Sequence, residues 1–547
     1  MGMAEGQGTA AGGSPLAPPP PGPESPGAGA WAPLRTAAFR TVWIASLVSN
    51  VGTWMQSASA AWFMTSLSSS PVMVALMPAA TSLPFVLLAL PAGALADIVD
   101  RRRLLIAAQL WMLIAAAALG GLTVAGRTTD WLLLGLTAAL GIGAAMMAPA
   151  WQAFAPHLVP RQHLPAAVAL GGVSLNVARA VGPALGGLLL AIQGPGPVFL
   201  VNAASFIVVI AALAMVRDTR RASTLPPERV VGAISAGVRY VRHARPLRSV
   251  LLRTAAFMLP GSGLWALLPL VARHDLGLSA VGYGLLLGCL GAGAIGAAWG
   301  LPTLRRALDG DQIVAGATVV FAAAMLVLGT AHVVPVVAVA MLIGGGAWIA
   351  ATATLMGAAQ GSVPAWVRAR ALAVVILVLQ GGIALGSVLW GAVATRATTQ
   401  SALLAGAAVM LASLAVTRGA RLRDLGSLDL SPVTWPDPEL HVDIDPERVP
   451  VLIMVEYEVG ADDANAFVAT MREVSDLRRR DGATEWGLFR DAARPSRFVE
   501  TFLAPSWLEH LRQHERSTEA DRVLRDRIAP FVLRERQPVS HLIAVDV

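Results

Sequence analysis

The chain has 547 residues, 55% of them apolar and 14% charged, with 41 basic against 34 acidic residues and a mean hydropathy of +0.62. That balance excludes both an ordinary soluble domain and a disordered chain. The single cysteine, Cys289, excludes a disulfide framework and a cysteine metal site. Every basic residue is Arg, and the excess lies in short loops between apolar runs, which points to a membrane surface and away from nucleic acid.

Residues 1–34 are rich in Gly, Pro and Ala with no apolar core, and read as a disordered cytoplasmic tail without a secretory signal. A bilayer-crossing helix needs about 20 apolar residues. That ruler places six spans near 39–65, 72–96, 103–126, 131–154, 165–192 and 197–216. A polar linker over 217–249 follows, then six more spans near 250–271, 279–301, 312–331, 333–357, 370–394 and 399–417. In the first span Asn50, Trp54 and Gln56 mix polar and aromatic character, which suits a cavity for amphipathic molecules. Trp43 and Trp62, nearer its ends, suit interfacial anchoring.

The fifth span carries Arg179 about 21 Å along its axis at 1.5 Å per residue. An arginine at mid-membrane costs about 2.5–3.5 kcal/mol, so its side chain should face protein or a water-filled cavity. Gly172, Asn176, Arg179, Pro183, Gly186 and Gly187 share one helical stripe. No Asp or Glu falls near mid-membrane, so the counter-charge is either an anionic cargo or carbonyls of a neighbouring helix.

The loops after spans 2, 4, 6, 8 and 10 hold 16 arginines, and the opposite loops hold three, Arg127, Arg273 and Arg396, which places both termini in the cytoplasm. Sliding residues 93–190 by 204 positions brings Arg101-Arg102 onto Arg305-Arg306, Asn176 onto Gln380, Gly182 onto Gly386 and Gly187 onto Gly391. The six-helix unit is therefore repeated, and such repeats place the substrate at their interface.

Residues 93–103, GALADIVDRRR, resemble the loop 2–3 signature of the major facilitator superfamily. The resemblance implies a gating role for Asp97, Arg101 and Arg102 at a helix end. Gly182-Pro183-Ala184-Leu185-Gly186-Gly187 is similar to the antiporter signature of its exporters, which implies close packing and hinging at these positions. In the fourth span Thr137 stands where those exporters commonly have Arg. The segments 49–56, SNVGTWMQ, and 363–370, VPAWVRAR, look like the enterobactin-exporter-type branch, also called the transmembrane secretion effector family. Arg480-Asp481-Gly482-Ala483 and the run Ser506–His514 resemble its soluble extension.

After a linker over 418–449, residues 450–547 read as strand 451–458, helix 462–480, strands 484–490 and 497–503, helices 506–515 and 518–529, and strand 538–546. This β-α-β-β-α-β order resembles dimeric α+β barrel domains that include cofactor-free monooxygenases. His510 and His514 are four apart and share a helix face, and with Glu509 they invite a metal reading, but the set is too small for a metal site, and the charges suit a salt-bridged helix.

The expected fold is an all-α membrane protein of twelve transmembrane helices in two six-helix repeats, 35–216 and 250–417, plus a small C-terminal α+β ferredoxin-like domain. The expected function is ion-coupled efflux of a small amphipathic molecule, such as a siderophore or antibiotic, across the inner membrane. No P-loop is present for direct ATP drive. Asn50, Trp54, Gln56, Asn176, Arg179 and Gln380 are the candidate cavity residues. Asp97, Arg101, Arg102, Gly182, Pro183, Gly186 and Gly187 are the candidate gating residues. No catalytic residue, metal or cofactor is expected. The partners are the cargo and the bilayer, and the C-terminal domain admits homodimerisation. Two alternatives remain: a membrane-tethered enzyme using that domain, and uptake or lipid transport on the same fold.

Overall fold

A computed structural model describes residues 31–154, 158–216, 239–364, 366–422, 449–533 and 538–544, with positions 429, 431, 433 and 445 between them. Most of the expected tail and of the linkers 217–249 and 418–449 therefore lies outside the described residues. Helices α1 (Ala37–Leu67), α2 (Pro71–Ile98), α3 (Arg101–Val124), α4 (Asp130–Phe154), α5 (Leu164–Gln193) and α6 (Pro195–Met215) form a first group. Helices α7 (Arg245–Leu270), α8 (Ala280–Ala307), α9 (Gly310–Thr330), α10 (Val334–Gly361), α11 (Arg368–Arg396) and α12 (Thr399–Thr417) form a second.

Local chemistry sets the helix starts. Proline opens α2, α5, α6, α7 and α10, where a missing N–H costs nothing. Asp100 accepts the Arg103 N–H at 2.9 Å to cap α3, and Asp309 with Gln312 forms a capping box on α9. Among the described residues, eleven helices are long and apolar enough to cross a membrane. The exception is α1, whose apolar run is interrupted by Ser46, Ser49, Asn50, Thr53, Gln56, Ser57 and Ser59. Two boundaries differ from expectation: α7 starts at Arg245, and α8 runs on to Ala307 with Arg305 and Arg306 in its last turn. Long arginine stems let a helix continue past the hydrocarbon while the charge stays wet.

The two groups meet along two seams, α2 against α11 and α5 against α8. Glycine makes both seams possible. A Cβ on Gly182 would lie 2.6 Å from Trp54 Cβ on α1, and one on Gly187 would lie 2.5 Å from the Ala280 carbonyl on α8. In the second group Gly386 closes on Leu259 of α7, and a Cβ on Gly391 would lie 2.5 Å from Ala75 Cβ on α2. The 204-residue offset thus relates contacts as well as residue types. One end of the bundle carries most of the loop arginines and is called the arginine-rich end below. The other carries Arg127, Arg273 and Arg396.

Beyond the helices, β1 (Val451–Glu458), α13 (Ala464–Asp481), β2 (Thr484–Arg490), β3 (Arg497–Ala504), α14 (Trp507–Arg516), α15 (Glu519–Asp526) and β4 (Val539–Ile543) follow in order. The four strands form an antiparallel sheet in the order β2-β3-β1-β4, with Val451 opposite Ala504 and Ile543. Burial alternates along β1 and β3, so Val451, Ile453, Val455, Phe498 and Phe502 pack on Phe467, Met471 and Val474 of α13. Glu500 lies fully buried on that face. Arg478 reaches it at 3.2 Å, and Tyr457 Oη and Trp486 Nε1 each donate to it at 2.9 Å.

Candidate functional site

The mid-bundle site lies between α1 and α5. The Arg179 guanidinium stacks over the Trp54 ring at 5.2 Å, a cation–π contact whose strength grows with desolvation. Its Nε is buried and has no hydrogen-bond partner among the described residues. One turn away from Trp54, Asn50 Nδ2 donates to Ser174 Oγ of α5 at 3.2 Å. Two turns from Arg179 on the same face, Gly172 has open space where a side chain would stand.

The structure does not bring all six cavity candidates together. Gln56 is 3% exposed and turned to α6, where Asn202 Nδ2 donates to its Oε1 at 2.5 Å. Asn176 is half-buried on α5, one turn from Arg179, and Gln380 is half-buried on α11 of the other group. Gly182 and Gly186 face α1, while Gly187 and the Pro183 carbonyl face α8, so these four residues form the packing surface of α5.

The opposite end is sealed across the two groups. Trp62 of α1 stacks on Tyr283 of α8 with ring centroids 5.3 Å apart. Arg273, in the π-helical turn that ends α7, lies over Trp62 at 5.5 Å and donates to Thr65 Oγ1 at 2.9 Å. Met64, Met73, Val74, Leu264, Leu267 and Leu268 pack around them. Trp62 thus packs between the two groups, and Trp43 donates to the Leu170 carbonyl of α5 at 2.9 Å, so both rings make specific contacts inside the bundle. Sequence reasoning missed this seal, because its residues come from separate helix ends.

At the arginine-rich end, Arg102 donates to the Leu213 and Ala214 carbonyls at 2.8 and 2.6 Å, closing the C-terminus of α6 within its own group. Arg101 opens α3. Asp97 lies in the last turns of α2, and its side chain is outside the described residues. In the second group Arg253 pairs with Asp311 at 2.8 Å.

Three segments singled out in the sequence meet at this same end. Tyr240, in helical residues 239–243, packs edge-on against Trp366 of the α10–α11 loop at 5.8 Å. The sheet unit covers these rings with two arginines. Arg480 stacks over Tyr240 at 5.4 Å, and Arg516 stacks over Trp366 at 4.8 Å. Glu509 binds Arg516 and also Arg239 at 3.3 Å. Deeper in the unit, His510 lies 4.8 Å from both His514 and His541, and burial first, then these two rings, hold it down to about 3. Among the described residues no three His, Cys, Asp or Glu are arranged to hold a metal.

A bundle of long apolar helices in two related groups, sealed at one end around a central cationic site, defines a multi-pass membrane transporter of the major facilitator superfamily. The chain matches the transmembrane secretion effector family over residues 28–546 and belongs to that family. The multidrug efflux pump Tap of Mycobacterium tuberculosis (strain ATCC 25618 / H37Rv) is 28% identical over 220 residues, 38% of this chain and 51% of that protein. Macrolide efflux protein A of Streptococcus pyogenes is 23% identical over 240 residues, 43% of this chain and 58% of that one. The chain spans about half the length of the curated relatives it matches. A bacterial homolog of the human lysosomal transporter Spinster, solved inward-facing and unoccupied, superposes with a TM-score of 0.55. It is 14% identical over 71% of this chain and 95% of that one, a likeness that shows the fold alone.

Proposed function

We propose that the chain is a twelve-span secondary active transporter of the inner membrane that exports a small amphipathic molecule, an antibiotic or a siderophore, with ion coupling and both termini in the cytoplasm. The observation that carries this reading is the Arg179–Trp54 pair inside an apolar bundle, closed from one end by Arg273, Trp62 and Tyr283. A guanidinium and an indole face together suit a cargo with an aromatic body and an anionic or acceptor-rich group. The names of the efflux relatives support the direction, and the arginine asymmetry supports the orientation. The sheet unit is then an accessory module and not an enzyme.

Its sheet face away from the helices carries Leu452, Met454, Val499 and Leu503, with Phe489 and Leu542 exposed at its edges. The occupant proposed for this face is a second copy, because copies in one bilayer hold these units at the same height and at high effective concentration. Cross-linking at Phe489→Cys in membranes should trap that dimer.

The test of transport uses the full chain in liposomes, an amphipathic carboxylate and its neutral methyl ester. Arg179→Gln should slow carboxylate export about tenfold, roughly the low-end value of one hydrogen bond to a charged group, and spare the ester, while Arg179→Lys recovers part of the loss. Equal effects on both cargoes, with folding intact by thermal stability, would mean that Arg179 only fixes packing. Collapsing the proton gradient in the same liposomes tests the coupling.

A further inference from the structure

A basic stretch runs into the start of α7: Arg239, Arg242, Arg245 and Arg248 recur every third residue, with His243 among them. Arg239 is engaged by Glu509. Arg242, His243 and Arg248 instead line a cleft of about 480 Å³ whose far wall is Asp476 of α13 in the sheet unit. Arg242 and Arg248 are exposed, and His243 is half-buried. Two guanidiniums against one carboxylate leave the cleft cationic. Burial holds the His243 imidazole below its ordinary range, with Asp476 opposing that shift and Arg479, Arg242 and Arg239 adding to it.

Position supplies the second argument. Immediately after Arg248, α7 continues as an apolar span, which sets the cleft at the level of lipid headgroups. Arginines that only fix topology would face solvent or headgroups along an open helix. These two sit in a cleft whose other side is a different structural unit. The volume also exceeds what an inorganic phosphate ion fills, and it leaves room for a headgroup of glycerophosphate size.

We propose that this cleft binds a phosphate-class anion, presented on a lipid headgroup or free in solution, and that the bound anion ties the start of α7 to the sheet unit. Arg242 and Arg248 are the ligands. Asp476 sets the limit on charge and favours a monoanionic phosphodiester over a dianion. The site is independent of the cargo site and does not rest on the proposed direction of transport.

The experiment uses the purified full chain in neutral detergent micelles, with thermal stability and native mass spectrometry as readouts. The probes are phosphatidylglycerol, phosphatidylcholine, glycerol phosphate and inorganic phosphate. Phosphatidylglycerol should stabilise the chain and remain bound in the spectrometer, whereas phosphatidylcholine should do neither. The R242Q/R248Q double variant should bind about thirtyfold more weakly, since each basic residue near an anionic surface contributes roughly fivefold. Asp476→Asn should bind more tightly, a gain that simple misfolding cannot imitate. Stabilisation by glycerol phosphate or inorganic phosphate at low millimolar concentration would assign the site to a soluble anion. Stabilisation by phosphatidylglycerol alone would assign it to the lipid. Equal responses to phosphatidylglycerol and phosphatidylcholine, or an unchanged response in both variants, would overturn the proposal.

Discussion

The seal at the arginine-poor end gives the sharpest test of the transport reading. Arg273→Ala removes one charged donor to Thr65 and one cation–π contact with Trp62, both between the two helix groups. A hydrogen bond to a charged group contributes about 1.5 kcal/mol at the low end suited to a half-buried arginine, and a partly exposed cation–π contact about 0.5 kcal/mol. Together these give about 2 kcal/mol, or roughly a thirtyfold shift toward the form open at that end. If that form is about 1% of the unliganded protein, it should rise to about a quarter. Spin labels at Ser69→Cys and Ser279→Cys, in a Cys289→Ser background, report the separation across the seal by double electron–electron resonance. Both label positions are exposed and lie on either side of the seal. The reasoning is refuted if Arg273→Ala and the parent give superimposable distance distributions in nanodiscs. The apolar cluster around Met64 and Leu267 would then hold the seal alone.

Two further outcomes follow from packing and charge. Gly187→Ala places a methyl group against the Ala280 carbonyl, an overpacking that costs about 1–3 kcal/mol; the sealed form should lose population in the same distance measurement, and Gly391→Ala should act likewise through Ala75. Glu500→Gln leaves Arg478 without its buried carboxylate and should destabilise the sheet unit by about 3–5 kcal/mol, read from the unfolding of Trp486 and Trp507 fluorescence. Burial pushes the Glu500 carboxyl up, but Arg478 with the Trp486 and Tyr457 donors pulls it further down, so it lies below the ordinary glutamate range. A lowered folded value means its contribution is complete above the unfolded value and is lost as pH falls through the folded one. Glu500→Gln should remove that part of the acid sensitivity, and an unaltered acid limb would count against the ion pair.

The spans were legible because a bilayer demands long apolar runs, and their errors fall at helix ends that run past the hydrocarbon, at the start of α7 and at Arg305 in the last turn of α8. Arg179 stood out because a charge in an apolar helix has few acceptable surroundings. Gln56 was harder to place. It shares a helix with Asn50 and Trp54, but only the position of α6 decides that it meets Asn202. The seal was hidden for a similar reason. Residues 62, 273 and 283 come from separate helix ends, where a lone tryptophan or arginine looks like an anchor or a topology charge. The alternation along residues 451–458 revealed the strand from sequence alone. That the segments around Trp366, Arg480 and Arg516 converge on Tyr240 depends on tertiary contacts with no local signature.

The chain contains no lysine, so the cations stacked over Trp54, Trp62, Tyr240 and Trp366 are all guanidiniums. A lysine ammonium in such surroundings can lose its proton, but an arginine keeps its charge at any physiological pH. Within the twelve helices the acids Asp97, Asp130 and Asp311 stand at helix ends, and no histidine occurs. The middle of the bundle therefore has a permanent positive charge and no carboxylate or imidazole beside it. A weak-acid cargo would bring its own exchangeable proton to that charge. The pH profile of transport would then follow the ionisation of the molecule carried, and it would move when the cargo is changed and stay fixed when the protein is mutated.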